Sequence, residues 1–199
     1  MKIGIMGGTF DPIHIGHLIA AEAAREQAGL DEVWFIPTGD PPLKEKAPSV
    51  DASQRFEMVS LAVSAHDRFR ALDIELRRDG VSYSVDTVAE LCKQYPGYTF
   101  SYIIGSDRIN DLPKWHRIEE LAQMACFIGL ERPEEPPQLE ALPSYLKQAL
   151  QLVDMPGIGV SSTAIREKLA SGHSIRYLVP EPVGVYIRRH GLYGSRNDD

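Results

Sequence analysis

Two glycines and two histidines near the amino terminus are the first residues whose types and spacing suggest chemistry. Gly7 and Gly8 follow an apolar stretch typical of a buried strand, and His14 and His17 stand three residues apart at a predicted helix start. Glycines let backbone N–H groups approach a phosphate closely, and a helix N-terminus favours anions. Two imidazoles there can donate to a polyphosphate and to the charge that grows during group transfer. One histidine on the alanine-rich face of this helix is usually a core residue, but the pair after two glycines favours phosphate binding.

A second group of hydroxyl and guanidinium side chains lies near the carboxyl terminus, at Ser161, Ser162, Thr163 and Arg166. Arg166 stands one turn after Ser162, so a guanidinium can reach the same ligand as the N–H groups of the helix start. Taken alone, these residues fit an ordinary N-cap with a surface arginine. Together with the first group, they predict the second anion site that a polyphosphate needs.

The elements that must position these residues alternate between strand and helix. The pattern predicts strands at 2–6, 33–37, 69–74, 99–104, 126–130 and 150–154, and helices at 15–28, 51–65, 84–95, 117–124, 162–170 and 181–190. We expect Ser84 and Ser162 to be N-caps, and 132–142 to be a surface loop. The alternation predicts an α/β fold, a doubly wound parallel sheet in a single domain spanning 1–199, with a helical part from about 161 to 199. In such sheets, ligands bind beyond the carboxyl ends of the strands.

Composition and missing motifs exclude several classes of protein. The 199 residues carry a formal charge of −7, which argues against a protein that holds polynucleotide phosphates on a broad basic surface. There is no GxGxxG fingerprint and no Gly-Lys pair for a Walker loop, so neither a dinucleotide oxidoreductase nor a P-loop NTPase is indicated. Two cysteines without CxxC, and no HExxH, make a reducing cytoplasm the expected compartment. Apolar runs are too short for a membrane span.

Together, HxGH at 14–17 and SSTxIR at 161–166 resemble the motifs of the nucleotidyltransferase superfamily of adenylyl- and cytidylyltransferases. Within it, the chain looks like the bacterial nicotinate-nucleotide adenylyltransferases over almost its whole length. The supporting segments are GGTFDP at 7–12, PPLK at 41–44, VSYSVDT at 81–87, GSD at 105–107, PKWH at 113–116, RP at 132–133 and GLY at 191–193. The resemblance implies a Rossmann-like fold and transfer of an adenylyl group from ATP to nicotinate mononucleotide, with Mg²⁺ carried on the phosphates and no metal ligands from the protein.

The resemblance also implies roles for individual residues. The backbone at 7–10 and the histidine pair would hold the triphosphate, the end of the strand at 99–104 would meet the ribose and base, and the start of the helix at 162–170 would hold the phosphates from the other side. The ATP site would therefore comprise Gly7, Gly8, Thr9, Phe10, His14, His17, Gly105, Asp107, Ser161, Ser162, Thr163 and Arg166. The nicotinate mononucleotide would meet Ser84, Trp115, His116 and Arg132. His14, His17, Lys44 and Arg166 would neutralise the leaving pyrophosphate. The nicotinate ring would stack on Trp115. Without the family resemblance, Trp115 could equally be a core aromatic residue, and Lys44 and Arg132 could equally be solvated loop cations.

Three departures from the family pattern stand out. Leu43 replaces the histidine of a usual Pro-Pro-His-Lys loop, so any role of that histidine is absent or falls to Lys44. Ser84 stands where threonine is usual, which keeps the hydroxyl and loses the methyl group. Ser106 and Arg108 stand where alanine and an apolar residue are common, and Arg108 adds a cation whose role the sequence does not define.

Other readings of the sequence remain. A pantetheine-phosphate adenylyltransferase shares the HxGH chemistry, but that branch is typically shorter and lacks the Ser-Tyr-Ser and Lys-Trp segments. Class I aminoacyl-tRNA synthetases share HIGH, but this chain is short, lacks their lysine-rich second signature and is acidic. A nucleotide-sensing module without turnover is the alternative from another class. Preference between the nicotinate and nicotinamide mononucleotides is open, and so is the oligomeric state, with a homodimer among the options. No nucleic acid or membrane partner is expected.

Overall fold

A six-stranded parallel sheet forms the centre of the computed structural model, which describes residues 1–39, 47–131 and 137–195. Its strand order is β3-β2-β1-β4-β5-β6, and every neighbouring pair is parallel. The strands are β1 (Lys2–Gly8), β2 (Glu32–Pro37), β3 (Phe69–Ala71), β4 (Thr99–Gly105), β5 (Ala125–Glu131) and β6 (Leu150–Asp154). The prediction of a doubly wound α/β fold is confirmed.

Helices cover both faces of the sheet. They are α1 (Ile15–Gln27), α2 (Ala52–Val63), α3 (Ser84–Gln94), α4 (Ser106–Ile109), α5 (Ile118–Met124), α6 (Ser144–Ala149), α7 (Ser162–Ala170) and α8 (Glu181–Arg189), with 3₁₀ turns at Leu112–Lys114, Leu139–Ala141 and Leu192–Gly194. The six longer helices match the predicted ones to within a few residues. The sequence pattern did not predict α4, α6 or the 3₁₀ turns, because one or two turns carry too little periodicity to detect.

The alternation of side chains along the strands builds two cores. Ile3 and Ile5 point to the face that carries α3 and α5, whereas Met6 points to the face that carries α1 and α2. The buried alanines of α1, Ala21 and Ala24 among them, let this helix lie close to the sheet. Helices α7 and α8 contribute apolar side chains to the same core as α1. The carboxyl-terminal helices therefore pack on the face that carries the histidine pair.

Two predicted helix caps are wrong. Ser84 is the first residue of α3, and Tyr83 occupies the N-cap position. Ser161 caps α7 by accepting a hydrogen bond from the Ala164 N–H at 3.2 Å, while Ser162 is the first helical residue. The predictions failed because adjacent hydroxyl residues satisfy the same cap pattern, and tertiary contacts decide between them. Strand β3 is also shorter than predicted, ending at Ala71 rather than at 74.

The strand order places a topological switch point between β1 and β4. The chain that follows β1 crosses one face of the sheet, and the chain that follows β4 crosses the other. This divergence opens a crevice beyond the carboxyl ends of the two strands. Gly8 ends β1 and Gly105 ends β4, so both open onto this crevice. Across the described ranges, no helix combines the length and the apolar character that crossing a bilayer requires.

Candidate active site

A cleft of about 570 Å³ lies at this switch point. The ends of β1 and β4 form one side of it, and the start of α3 and the turn that follows α4 form the other. It brings together seven of the predicted site residues, namely Gly7, Gly8, Thr9, Ser84, Gly105, Trp115 and His116. Segments that are far apart in the sequence thus meet where ligands bind in doubly wound sheets.

The histidine pair begins α1 directly beside the loop that leaves β1. His14 is the N-cap, is 6% exposed, and donates its backbone N–H to His17 Nδ1 at 3.2 Å. A ring nitrogen that accepts a hydrogen bond carries no proton, so this contact assigns the proton of a neutral His17 to Nε2. The two rings stack with centroids 3.7 Å apart, and Phe10 packs its edge against His17. The pair is thus held rigidly at the positive end of a helix.

The glycine between the two histidines is required by close packing. A Cβ at Gly16 would lie 3.0 Å from His14 Nδ1 and 3.1 Å from His14 Cε1, against the ring itself. A larger residue would require the His14 ring to shift by a few tenths of an ångström. This steric limit gives the HxGH spacing a physical reason that the sequence alone does not show.

The start of α7 is fastened to the loop that precedes α1. Arg166 Nη1 donates to the Asp11 carbonyl at 2.6 Å, and Ser162 Oγ donates to the Pro12 carbonyl at 2.8 Å. Thr163 Oγ1 accepts from Arg166 Nη2 at 3.3 Å. The late hydroxyl and guanidinium residues therefore lie beside the histidine pair, as the two-site prediction expects.

A buried polar network that sequence reasoning missed holds this loop in place. Asp11 is 5% exposed; its Oδ1 accepts from the Tyr193 hydroxyl at 2.8 Å, and its Oδ2 accepts from the Ser49 N–H at 2.8 Å. Arg55, 1% exposed, donates to the Thr9 carbonyl at 2.7 Å and to the Gly39 carbonyl at 3.3 Å. The GGTFDP and GLY segments were recognisable in the sequence, but nothing there paired Asp11 with Tyr193.

We expect Tyr193→Phe to lower the free energy of unfolding by about 2 kcal/mol, because it removes a hydrogen bond to a buried carboxylate. Burial, and then the Asp11 charge, raise the pKa of Tyr193, so its hydroxyl is a donor at any pH near neutrality. Urea unfolding at pH 7 measures the loss. Tyr177→Phe is the matched control, since that side chain is 79% exposed. Equal urea midpoints for the two variants would contradict the role assigned to Tyr193.

The opposite side of the cleft is aromatic. Trp115 is half-buried and packs edge-on against Tyr102 at 5.4 Å between ring centroids, so it is not a plain core residue. The His116 ring lies 4.2 Å from Tyr83. The Ser84 hydroxyl interacts with the hydroxyl of Tyr102, whose pKa is raised by burial. A flat apolar wall with a few polar groups suits a heteroaromatic ring.

Contact with Tyr102 also explains why position 7 is a glycine. A Cβ at Gly7 would overlap the Tyr102 hydroxyl. The end of β1 and the aromatic wall therefore touch directly, and only glycine permits that approach. This contact joins the glycine-loop side of the cleft to its aromatic side.

Two cations at the cleft rim share one carboxylate. Lys114 Nζ lies 2.7 Å from Asp111 Oδ1, and Arg108 Nη1 lies 3.8 Å from Asp111 Oδ2. The hydrogen bond from Lys114 lowers the pKa of Asp111. Arg108, whose role the sequence left undefined, thus adds positive charge to the cleft wall. Asp107 is exposed in the first turn of α4, at the carboxyl end of β4.

Some predicted residues have other positions or lie beyond the described ranges. Phe10 is buried and packs on Phe35, so only its backbone, at a φ of 49°, faces the loop. Lys44 and Arg132 fall outside the residues that the structure describes. Within 1–39, 47–131 and 137–195, no three His, Cys, Asp or Glu side chains converge as metal ligands.

Comparison with known proteins agrees with this geometry. Residues 5–168 match the family model described as cytidylyltransferase-like. Two bacterial relatives carry the name "Probable nicotinate-nucleotide adenylyltransferase": one from Oceanobacillus iheyensis is 49% identical and covers 97% of either chain, and one from Bacillus pumilus is 44% identical over 98% of this chain and 99% of its own. The Plasmodium falciparum nicotinic acid mononucleotide adenylyltransferase, solved in complex with NaAD, shares the fold with a TM-score of 0.79, 22% identity and 99% coverage of both chains. This chain therefore belongs to the cytidylyltransferase-like family and, within it, to the nicotinate-nucleotide adenylyltransferases.

Proposed function

We propose that this protein transfers the adenylyl group of ATP to nicotinate mononucleotide, giving nicotinate adenine dinucleotide and pyrophosphate in NAD biosynthesis. One observation carries the proposal beyond family membership. A single cleft joins the glycine loop, which suits a polyphosphate, to the wall with Ser84 and Trp115, which suits a pyridine ring. The histidine pair begins α1 directly after that loop. Two substrates that must react with each other need such adjoining sites.

The reaction needs alignment and charge neutralisation more than proton transfer. The phosphate of the mononucleotide is already an anion at neutral pH and attacks the α-phosphorus of ATP without a strong general base. As the bond to the leaving pyrophosphate breaks, negative charge grows on its oxygens. We assign the stabilisation of that charge to His14, His17 and Arg166, and we assign Lys44 to the same role from the sequence. Backbone N–H groups at Gly7–Phe10 would hold the triphosphate, with the first turn of α7 on its other side.

The adenylate and pyridine ends would lie on opposite sides of this phosphate region. Gly105 and Asp107 would meet the ribose and base at the end of β4. Trp115 would stack on the nicotinate ring, with Ser84 and backbone near His116 at its carboxylate. Arg132 is assigned to the mononucleotide phosphate from the sequence alone.

Adenylyl transfer from ATP generally uses a divalent metal, and we propose that Mg²⁺ enters bound to the ATP phosphates. The described residues fit this arrangement, since they supply histidines and an arginine to the phosphate region rather than a group of carboxylates. Mg²⁺ prefers to keep several waters and to be held by phosphate oxygens. Mg²⁺ bound to these oxygens would neutralise part of the charge of the leaving pyrophosphate, in addition to the part that the side chains neutralise.

The activity test is steady-state release of pyrophosphate from ATP and Mg²⁺ with each mononucleotide in turn. We expect release to require the mononucleotide, with nicotinate mononucleotide giving the higher kcat/KM. Pantetheine phosphate serves as the control acceptor. If pyrophosphate is released only with pantetheine phosphate, then pantetheine phosphate is the acceptor and the proposed substrate is wrong. If no pyrophosphate is released with any acceptor, a binding module without turnover is favoured.

A further inference from the structure

A buried carboxylic acid forms part of the cleft wall and has no role in the proposed transfer. Glu75 follows β3, is 5% exposed, and lines the same cleft as Ser84 and Trp115. Buried glutamates are rare unless they are paired or bonded. A titratable group enclosed in a binding cleft is a candidate for a functional role.

The contacts of Glu75 leave its negative charge poorly compensated. Thr87 Oγ1 donates to Glu75 Oε1 at 2.8 Å. The charge of Arg78 acts on Glu75. However, Arg78 Nη1 donates to Ser82 and Thr87, each at 3.2 Å, and its Nη2 pairs with Glu90 Oε2 at 2.6 Å. The guanidinium therefore neutralises Glu90 and acts on Glu75 only through space.

Among the residues that the structure describes, the other elements around Glu75 add little opposing charge. The segment after β2 contributes backbone at Gly39, and β4 contributes Tyr102, which is uncharged because burial raises its pKa. The groups across the cleft are His116 and the cations Arg108 and Lys114, which already share Asp111. Burial is accordingly the largest influence and raises the pKa of Glu75, against the smaller opposing effects of the Thr87 hydrogen bond and the Arg78 charge.

We propose that Glu75 takes up a proton from solvent when an anionic pyridine mononucleotide enters this cleft, an inference that rests on the proposed function. The ligand brings a phosphate and, in the nicotinate form, a carboxylate. A second negative charge close to it is destabilised, and this shifts the Glu75 carboxylate to its protonated form. The protonated carboxyl is then a hydrogen-bond donor rather than an acceptor only. The cleft can thus accept an anion although a carboxyl group forms part of its wall.

The sign of the pH effect follows from this linkage. Ligand binding raises the pKa of Glu75, so proton uptake is largest between the pKa of the free protein and that of the complex. Between these two pKa values, each pH unit costs up to tenfold in affinity, and above the pKa of the complex the affinity levels off. The loss is larger for the nicotinate than for the nicotinamide mononucleotide, because only the former carries the additional carboxylate.

The direct test is titration calorimetry of nicotinate mononucleotide into the wild-type protein, in buffers of different ionisation enthalpy, from pH 5 to 9. For the wild type, we expect the uptake of nearly one proton per bound ligand in addition to the protonation of the ligand itself. For Glu75→Gln, which keeps an oxygen that can accept from Thr87, we expect no proton uptake beyond that of the ligand. The ligand phosphate, with a pKa of about 6, contributes equally to both measurements. Glu26→Gln is the matched control, since Glu26 is an exposed carboxylate of α1 that does not line the cleft, and this variant should take up protons as the wild type does. Identical proton uptake by the wild type and Glu75→Gln at every pH would overturn the proposal.

A kinetic measurement keeps the proposal testable if Glu75→Gln does not fold. Thr87→Val removes the hydrogen bond that lowers the pKa of Glu75, so the rise of KM for nicotinate mononucleotide should move to higher pH. An unchanged KM profile in Thr87→Val would count against Glu75. Failure of the proposed function would be seen as the absence of pyrophosphate release. Failure of this inference would be seen as pyrophosphate release by an enzyme whose proton uptake does not depend on Glu75.

Discussion

His17→Ala is expected to keep the fold and to lose about 10²–10³-fold in turnover, the range found when one donor to a developing anion is removed. The His17 ring lies on the first turn of α1 and is only half-buried, so its removal leaves the core of the sheet intact. The measurement is kcat for pyrophosphate release, with thermal unfolding to check the fold. Turnover near the wild-type value would contradict the assignment of the histidine pair to the phosphates.

Two conservative variants separate the chemical role of His17 from its structural one. His17 Nδ1 accepts the His14 backbone N–H at 3.2 Å, so any variant that removes the ring also loses this contact. His17→Asn restores an acceptor near Nδ1, whereas His17→Gln places an amide donor near Nε2. We expect His17→Gln to be the more active of the two and His17→Asn the more stable. If His17→Asn instead recovers turnover, capping of α1 rather than phosphate contact explains the loss.

Arg55→Met is expected to destabilise the protein by about 3 kcal/mol, because it deprives two carbonyls of a charged donor and leaves the buried Asp11 carboxylate less compensated. Burial lowers the pKa of Arg55, yet a guanidinium remains charged in proteins. Since Arg55 ties Thr9 to Gly39, its loss should also loosen the glycine loop and reduce turnover at temperatures where the variant is folded. For a chain of this length, the expected fall in Tm is about 6–12 °C.

Arg77→Met is the matched control for Arg55→Met. Arg77 makes an i, i+4 ion pair with Asp73 and is 76% exposed, so we expect its Tm to stay almost unchanged. Differential scanning calorimetry compares the two variants with the wild type. A Tm for Arg55→Met within 2 °C of that for Arg77→Met would show that the buried network does not stabilise the loop.

Much of the proposed phosphate-binding side could be predicted from the sequence, because its signals are local. Glycines at the end of a strand, a helix start with two histidines and a serine-rich helix start each occupy a few consecutive residues. The strand and helix periodicity then placed them at the carboxyl edge of a parallel sheet, as the structure shows. Identity of single caps was less predictable, since Ser161 and Ser162 satisfy the same local pattern.

Long-range pairings were beyond sequence reasoning, because nothing in a single chain says which distant residues will touch. Asp11 and Tyr193 are separated by 182 positions, and Thr87 meets Glu75 only because α3 packs against the turn after β3. In the sequence, Glu75 is one acid among many in a charged stretch.

By itself, then, the sequence determined the fold class and the two motifs to which we assign phosphate binding, since periodicity, glycine placement and helix starts depend on neighbours in the chain. The tertiary structure decided which groups are buried together: the Arg55–Asp11–Tyr193 network beneath the loop, and Glu75 within the cleft wall. The physical reason is that desolvation, which sets both the strength of these contacts and the direction of the pKa shifts, depends on what surrounds a group in space.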